Sequence, residues 1–229
     1  NLMKNSKTEN ALEATKQSEG KSNQDKHDSS TQPKSPLSPA NWATEFELTD
    51  AEVKEISSPE WIYDNLIISS HIVTIPAEPN GGKTTIMLHV AKEMVKEGYD
   101  VFYVNVDTSG GDAKPMVEYA KESGFKLMLP DMKHGKSIVD LSNKLVEMIE
   151  SESRFEKTVF IFDTLKKFAD VISKRNAKQV YSGFRKLTAK GVTIILLAHT
   201  NKYTDNDGKP IYEGTGDIRS DTDELIYLI

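Results

Sequence analysis

Apolar positions along the chain fall into two kinds of run that alternate from about residue 60 onward. Uninterrupted stretches such as 159–162 and 193–197 suit strands covered on both faces, and between them lie segments with the three-to-four residue apolar spacing of amphipathic helices. In order, the pattern predicts a strand over 67–75, a helix over 83–96 ending at Gly98, a strand over 101–106 and a helix over 114–122 stopping at Gly124. A short strand over 126–129 and a helix over 137–151 come next. A strand over 158–163, one or two helices reaching 190, a strand over 192–198, a polar loop and a last buried strand over 224–229 complete the chain. The fold class expected is α/β, a mainly parallel sheet flanked by helices on both faces.

Residues 1–40 carry almost no periodic apolar pattern, only Lys, Glu, Ser, Asn and Gln with Pro33, Pro36 and Pro39. That composition predicts a disordered tail or linker, leaving 41–229 as the folded domain. A hydrophobic fraction of 37% over 229 residues supplies a core for one such domain. The absence of cysteine removes disulfides, thiolate catalysis and zinc–cysteine sites and fits a reducing compartment. No apolar run approaches the roughly 20 residues of a spanning helix, so the expectation is a soluble, cytoplasmic protein without a membrane partner. Because the chain starts at Asn1 and stops within a predicted strand, it reads as a fragment truncated at its C-terminus.

The net charge of −6 argues against a surface that is wholly a clamp for nucleic acid. Its distribution changes that picture locally. Between 166 and 190 stand Lys166, Lys167, Lys174, Arg175, Lys178, Arg185, Lys186 and Lys190 against one acid, Asp170. Two readings are open, a solvated helix face and a contact to nucleic acid or another subunit.

Candidate chemistry begins where the first predicted strand stops. Pro76-Ala77-Glu78-Pro79-Asn80-Gly81-Gly82-Lys83-Thr84-Thr85 joins the apolar run 72–75 to the first helix, the context of a phosphate-binding loop. In such a loop backbone N–H groups and a helix N-terminus converge on phosphates. Pro79, Asn80, Gly81, Gly82, Lys83, Thr84 and Thr85 are the candidate nucleotide-binding residues. Lys83 would meet the β and γ phosphates, and Thr84 the Mg²⁺ that bridges them. Ala77 stands where the pattern asks for glycine, which costs little if its φ is negative and more if it is positive. A second Gly-Lys-Ser at 135–137 lacks the upstream glycine and reads as a helix start with Lys136 in solvent.

In parallel sheets ligands bind beyond the carboxyl ends of the strands, so the polar residues that close strands are the next candidates. Asp163 closes 158–163 and is either a metal-ordering carboxylate or a helix cap. Asp107 follows 101–106 and is either a general base for an attacking water or a turn residue before Thr108-Ser109-Gly110. His199, with Thr200, Asn201 and Lys202, leaves the strand 192–198 as either a sensor of the terminal phosphate or a satisfied polar residue.

Taken in order, the segments 59–63, 77–85, Asp107, 163–168, 199–202, 212–217 and 221–228 resemble those of the RecA-like P-loop ATPases of the wider AAA group. The resembling branch holds the hexameric replicative helicases and RepA-type plasmid helicases. The resemblance covers roughly 61–229. It implies that the His199 strand lies between the phosphate-loop strand and the Asp163 strand. It further implies ATP and Mg²⁺ as cofactors, with Lys83, Asp107, Asp163 and His199 as catalytic residues and Thr84 and Asp163 at the metal. As partners it implies other copies of the chain, in a ring such as a hexamer or in a filament, and single-stranded DNA facing the segments after Asp163 and between Thr200 and Asp217. Members of the family usually carry glutamate where Asp107 stands, and their trans-acting arginine would fall beyond Ile229. The expected function is Mg²⁺-dependent ATP hydrolysis coupled to DNA unwinding or translocation in replication. The alternative is a nucleotide-gated assembly or DNA-binding module with little hydrolysis.

Overall fold

The computed structural model describes residues 39–166, 168, 177–204, 210–212 and 221–228. The predicted tail over 1–40 lies almost wholly outside these residues, as do Lys167, Asp170, Lys174, Arg175 and the segment 213–220. The chain divides after Glu47 into two units. In the first, a helix α1 (Pro39–Trp42) and a 3-10 turn (Ala43–Glu45) set the rings of Trp42 and Phe46 edge to face at 5.7 Å.

The second unit holds the sheet. Its strands are β3 (Ile72–Ala77), β4 (Asp100–Asn105), β5 (Lys126–Met128), β6 (Thr158–Asp163), β7 (Thr193–Thr204) and β9 (Glu224–Leu225). They lie in the order β5-β4-β6-β7-β3-β9, every neighbour parallel, with β8 (Pro210–Tyr212) antiparallel to β7. A separate antiparallel pair is made by β1 (Trp61–Tyr63) and β2 (Ile67–Ile68).

Strand alternation sorts the apolar residues onto two faces. On one face Val159, Ile161, Ile195, Leu197, Val73 and Tyr103 pack against Met87, Val90, Ala91 and Met94 of α3 (Lys83–Lys96), which recur at helical spacing, and against Ala120 of α4 (Gly110–Ser123). On the other, Phe160, Phe162, Ile194 and Leu196 meet α5 (Ile138–Glu150) through Leu145 and α6 (Ala177–Thr188) through Tyr181, Phe184 and Leu187. A sheet buried on both sides thus explains the unbroken apolar runs of β6 and β7. A short helix α2 (Asp50–Glu55), fixed by a capping box between Thr49 and Glu52, buries none of its residues.

Several boundaries differ from the sequence expectation. The predicted strand over 67–75 is two strands, because Ser70 takes a φ of +60° and the Ser69 hydroxyl accepts the Glu60 N–H, turning the chain between β2 and β3. The strand predicted to stop at 198 runs to Thr204, where β8 supplies a partner that an apolar pattern cannot reveal. The last strand is short and half-buried rather than buried, since it forms the sheet edge beside β3. The second Gly-Lys-Ser does start a helix: Ser137 caps α5 in a capping box with Asp140, and Lys136 is exposed.

Candidate nucleotide site

Parallel register brings the phosphate loop and the strand-end residues together. Ala77, at the end of β3, pairs with His199 of β7, and Asn105, at the end of β4, pairs with Asp163 of β6. The His199 strand therefore lies between those of the loop and of Asp163. Ala77 sits within β3 on extended, negative-φ backbone, so alanine there carries no conformational cost. The left-handed positions fall later, at Asn80 (φ +62°) and Gly82 (φ +75°). Such alternation turns successive N–H groups toward one concavity. A Cβ on Gly81 would come within 3.1 Å of the Glu78 carbonyl oxygen, which accepts the Gly81 N–H, so glycine is needed there for close packing of the loop.

Gly82 is the N-cap of α3 and offers no side chain to cap it, so the first turn presents its N–H groups and the positive end of the helix to whatever lies in the loop. Residues 78–82 and Thr85 are exposed, whereas Lys83 is 6% exposed. Burial pushes the Lys83 ammonium below its ordinary pKa, against the pull of Asp163 and then Asp107. Its Nζ lies 3.2 Å from His199 Nδ1. A buried positive group beside an uncapped helix N-terminus is an arrangement that suits an anion.

Thr84 Oγ1 donates to Asp163 Oδ2 at 2.7 Å. Because the hydroxyl proton is spent on Asp163, the Thr84 oxygen keeps its lone pairs for a cation, and the carboxylate stands next to it. No cluster of three His, Cys, Asp or Glu capable of holding a metal exists among the described residues. That donor set fits a hard cation shared with phosphate oxygens, the manner in which Mg²⁺ is usually bound.

Sequence reasoning missed two residues of this site. Tyr103 OH donates to Asp163 Oδ2 at 2.9 Å, and Asn105 Nδ2 does so at 3.4 Å. Asn105 Oδ1 also accepts the N–H groups of Asp107 and Thr108 at 2.9 and 2.8 Å, forming the turn that ends β4. Burial, then the charge of Asp163 and the hydrogen bond to it, push the Tyr103 phenol well above its ordinary pKa, so it stays a donor. The only signal for either residue was parity, since Tyr103 and Asn105 precede Asp107 at two-residue intervals on one strand face. Asp107 itself is exposed just beyond that strand.

Arg185 belongs by sequence to the basic stretch, and the structure gives it a different role. Its Nη1 lies 2.6 Å from both carboxylate oxygens of Asp223, and its Nη2 donates to the Asp221 carbonyl at 2.7 Å, tying α6 to the edge of the sheet. Lys186 is exposed in the last turn of α6, and Lys190 donates to the Ser151 carbonyl. The side chain of Lys202, and Arg219 altogether, lie outside what is described. No helix among the described residues is long and apolar enough to cross a membrane.

The profile of the AAA domain family matches residues 38–205. Among solved structures, the flagellar accessory protein FlaH from Methanocaldococcus jannaschii is similar at 19% identity and a TM-score of 0.48, over 69% of this chain and 71% of that one. A prototypical ATPase from the type III secretion system of pathogenic bacteria is similar at 16% identity and a TM-score of 0.44, over 70% of this chain and 51% of that one. Comparison with curated proteins finds no match. Given a profile match over most of its length, and a sheet order that sets Lys83, Thr84 and Asp163 around one uncapped helix N-terminus, the chain belongs to the AAA domain family.

Proposed function

We propose that the chain binds ATP with Mg²⁺ through Pro79, Asn80, Gly81, Gly82, Lys83, Thr84 and Thr85, and hydrolyses it. The observation that carries this reading is the meeting of Thr84 with Asp163 at 2.7 Å and of Lys83 with His199 at 3.2 Å around the start of α3. Backbone N–H groups of the loop receive phosphate oxygens, and Lys83 neutralises charge on the outer phosphates. Thr84 and Asp163 hold the cation, which when bound draws negative charge from the transferring phosphoryl group. Asp107 orients the attacking water and accepts its proton. His199 supplies a hydrogen bond that answers to the terminal phosphate.

The finer reading is a homo-oligomeric ring, a hexamer in its simplest form, that moves along or unwinds single-stranded DNA in replication. Its support is the ordered set of motifs together with the β7–β8 ribbon standing beyond the site. The same reading takes 41–229 as the working domain, 1–40 as a tail and the cytoplasm as its location. The test is ATP hydrolysis with and without single-stranded DNA, beside a Lys83→Ala variant. DNA-stimulated turnover that the variant lacks is expected, and ATP binding without turnover would overturn the motor.

A nucleotide-gated assembly with little hydrolysis is the second reading, favoured by the short side chain and exposure of Asp107. Asp107→Asn separates the two, abolishing turnover in a motor and leaving nucleotide-dependent assembly nearly unchanged in a gated module.

A further inference from the structure

We propose that Tyr103 and Asn105 are positioning residues that hold the Asp163 carboxylate in the orientation required by the cation of a bound nucleotide, a role resting on the nucleotide reading above. Three donors converge on one oxygen, Asp163 Oδ2, namely Thr84 Oγ1 at 2.7 Å, Tyr103 OH at 2.9 Å and Asn105 Nδ2 at 3.4 Å. One donor comes from the helix that opens at the phosphate loop and two come from β4. The tilt of the carboxylate is therefore set by side chains on two independent elements rather than by solvent.

Register makes this arrangement possible. Asn105 faces Asp163 directly across the β4–β6 pair, and Tyr103 faces Ile161. Two-residue spacing puts Tyr103 on the same face of β4 as Asn105, the face covered by α3, so its ring lies under the site and its hydroxyl reaches the carboxylate at the strand end. Tyr103 is 0% exposed, Asn105 3% and Asp163 2%, so none of these bonds competes with bulk water. A phenylalanine would fill the same core volume. The hydroxyl is what connects the core to Asp163. Asn105 extends the connection, because the amide that donates to Asp163 also accepts the two N–H groups that shape the Asp107 turn. Groups that orient a metal-binding carboxylate typically change metal affinity by about 10–100-fold when removed.

A core tyrosine that merely satisfies its own hydroxyl would affect folding and nothing else, so the test separates metal affinity from folding. Wild type, Tyr103→Phe and Asn105→Ala are titrated calorimetrically with the non-hydrolysable analogue AMP-PNP in EDTA. Mg²⁺ is then titrated at a fixed analogue concentration, and melting curves are recorded alongside. The expected result is an affinity in EDTA within about twofold of wild type and a half-saturating Mg²⁺ concentration at least about tenfold higher in both variants. Unchanged Mg²⁺ dependence in the folded variants overturns the proposal, and so does an equal loss of affinity with and without Mg²⁺. If Tyr103→Phe does not fold, Asn105→Ala decides by the same criteria. Wild type that binds no analogue in either buffer sinks the nucleotide reading and this role with it, a failure distinct from that of variants tested beside a competent wild type.

Discussion

Replacing Asp223 by alanine removes two kinds of partner at once. The first is the ion pair with Arg185, whose side chains are 43% and 26% exposed, a setting in which a pair contributes about 0.2–1 kcal/mol. The second is the acceptor for the Ile72 N–H at 2.8 Å, on a residue that is 0% exposed, and a buried donor left without a partner costs roughly 1–3 kcal/mol. Asp223→Ala is therefore expected to cost about 2–3 kcal/mol, whereas Asp223→Asn keeps an oxygen for Ile72 and should cost about 1 kcal/mol or less. For a unit of this size those figures correspond to Tm decreases of roughly 4–12 °C and at most about 2–4 °C. Thermal melts and urea titrations followed by tryptophan fluorescence measure both. The pH dependence divides the two contributions further. Burial alone would raise the Asp223 pKa, but Arg185 and the Ile72 N–H outweigh it and hold the carboxyl below its ordinary value. The charge-dependent part is thus fully present above the ordinary aspartate pKa of about 4 and is lost as pH falls through the lowered folded value. The gap between wild type and Asp223→Asn should close in acid. Equal Tm losses for the alanine and asparagine variants at neutral pH would refute the reasoning, because the Ile72 donor would then contribute nothing.

Lys83→Met should abolish ATP turnover while leaving the Tm of the nucleotide-free protein unchanged or higher, since burial already disfavours the ammonium; a clear loss of stability on melting would contradict this. Gly82→Ala adds a Cβ that meets nothing within 4 Å, so its cost is that of a φ of +75° alone, about 1–2 kcal/mol by chemical denaturation. Gly81→Ala places its Cβ against the Glu78 carbonyl, so calorimetry should show nucleotide affinity falling more than stability does. Phe162→Ala opens a hole among Phe160, Phe168 and Phe184, with Phe168 nearest at 4.4 Å between ring centroids. It should lower stability by about 3–5 kcal/mol in urea titrations.

What the chain spells out locally is legible in the residues themselves. The helix over 83–96 and the strand over 158–163 appear at the predicted residues, because their apolar spacing and their bounding Gly82 and Asp163 are signals carried within each element. Residues whose meaning depends on a distant partner are not legible in this way. Arg185 reads as one cation in a basic run because Asp223 lies 38 positions away, and only the closed sheet edge joins them. Tyr103 reads as an ordinary core aromatic because its hydroxyl acquires a role only when β4 and β6 take their register. The question over Ala77 concerns one backbone angle, and residue identity does not state an angle.

The reach of β7 has a mechanical consequence. His199, which touches Lys83, and Thr204, near the tip of the ribbon, belong to one continuous strand, and the span from Thr200 to Thr204 is about 13 Å at the usual rise per residue. The pairing with β8 shifts register between Thr200 and Thr204, so the ribbon is irregular just beyond His199. A change around the imidazole therefore has a continuous covalent path outward along β7, but it meets that irregularity before it reaches the tip, and the strand can bend there.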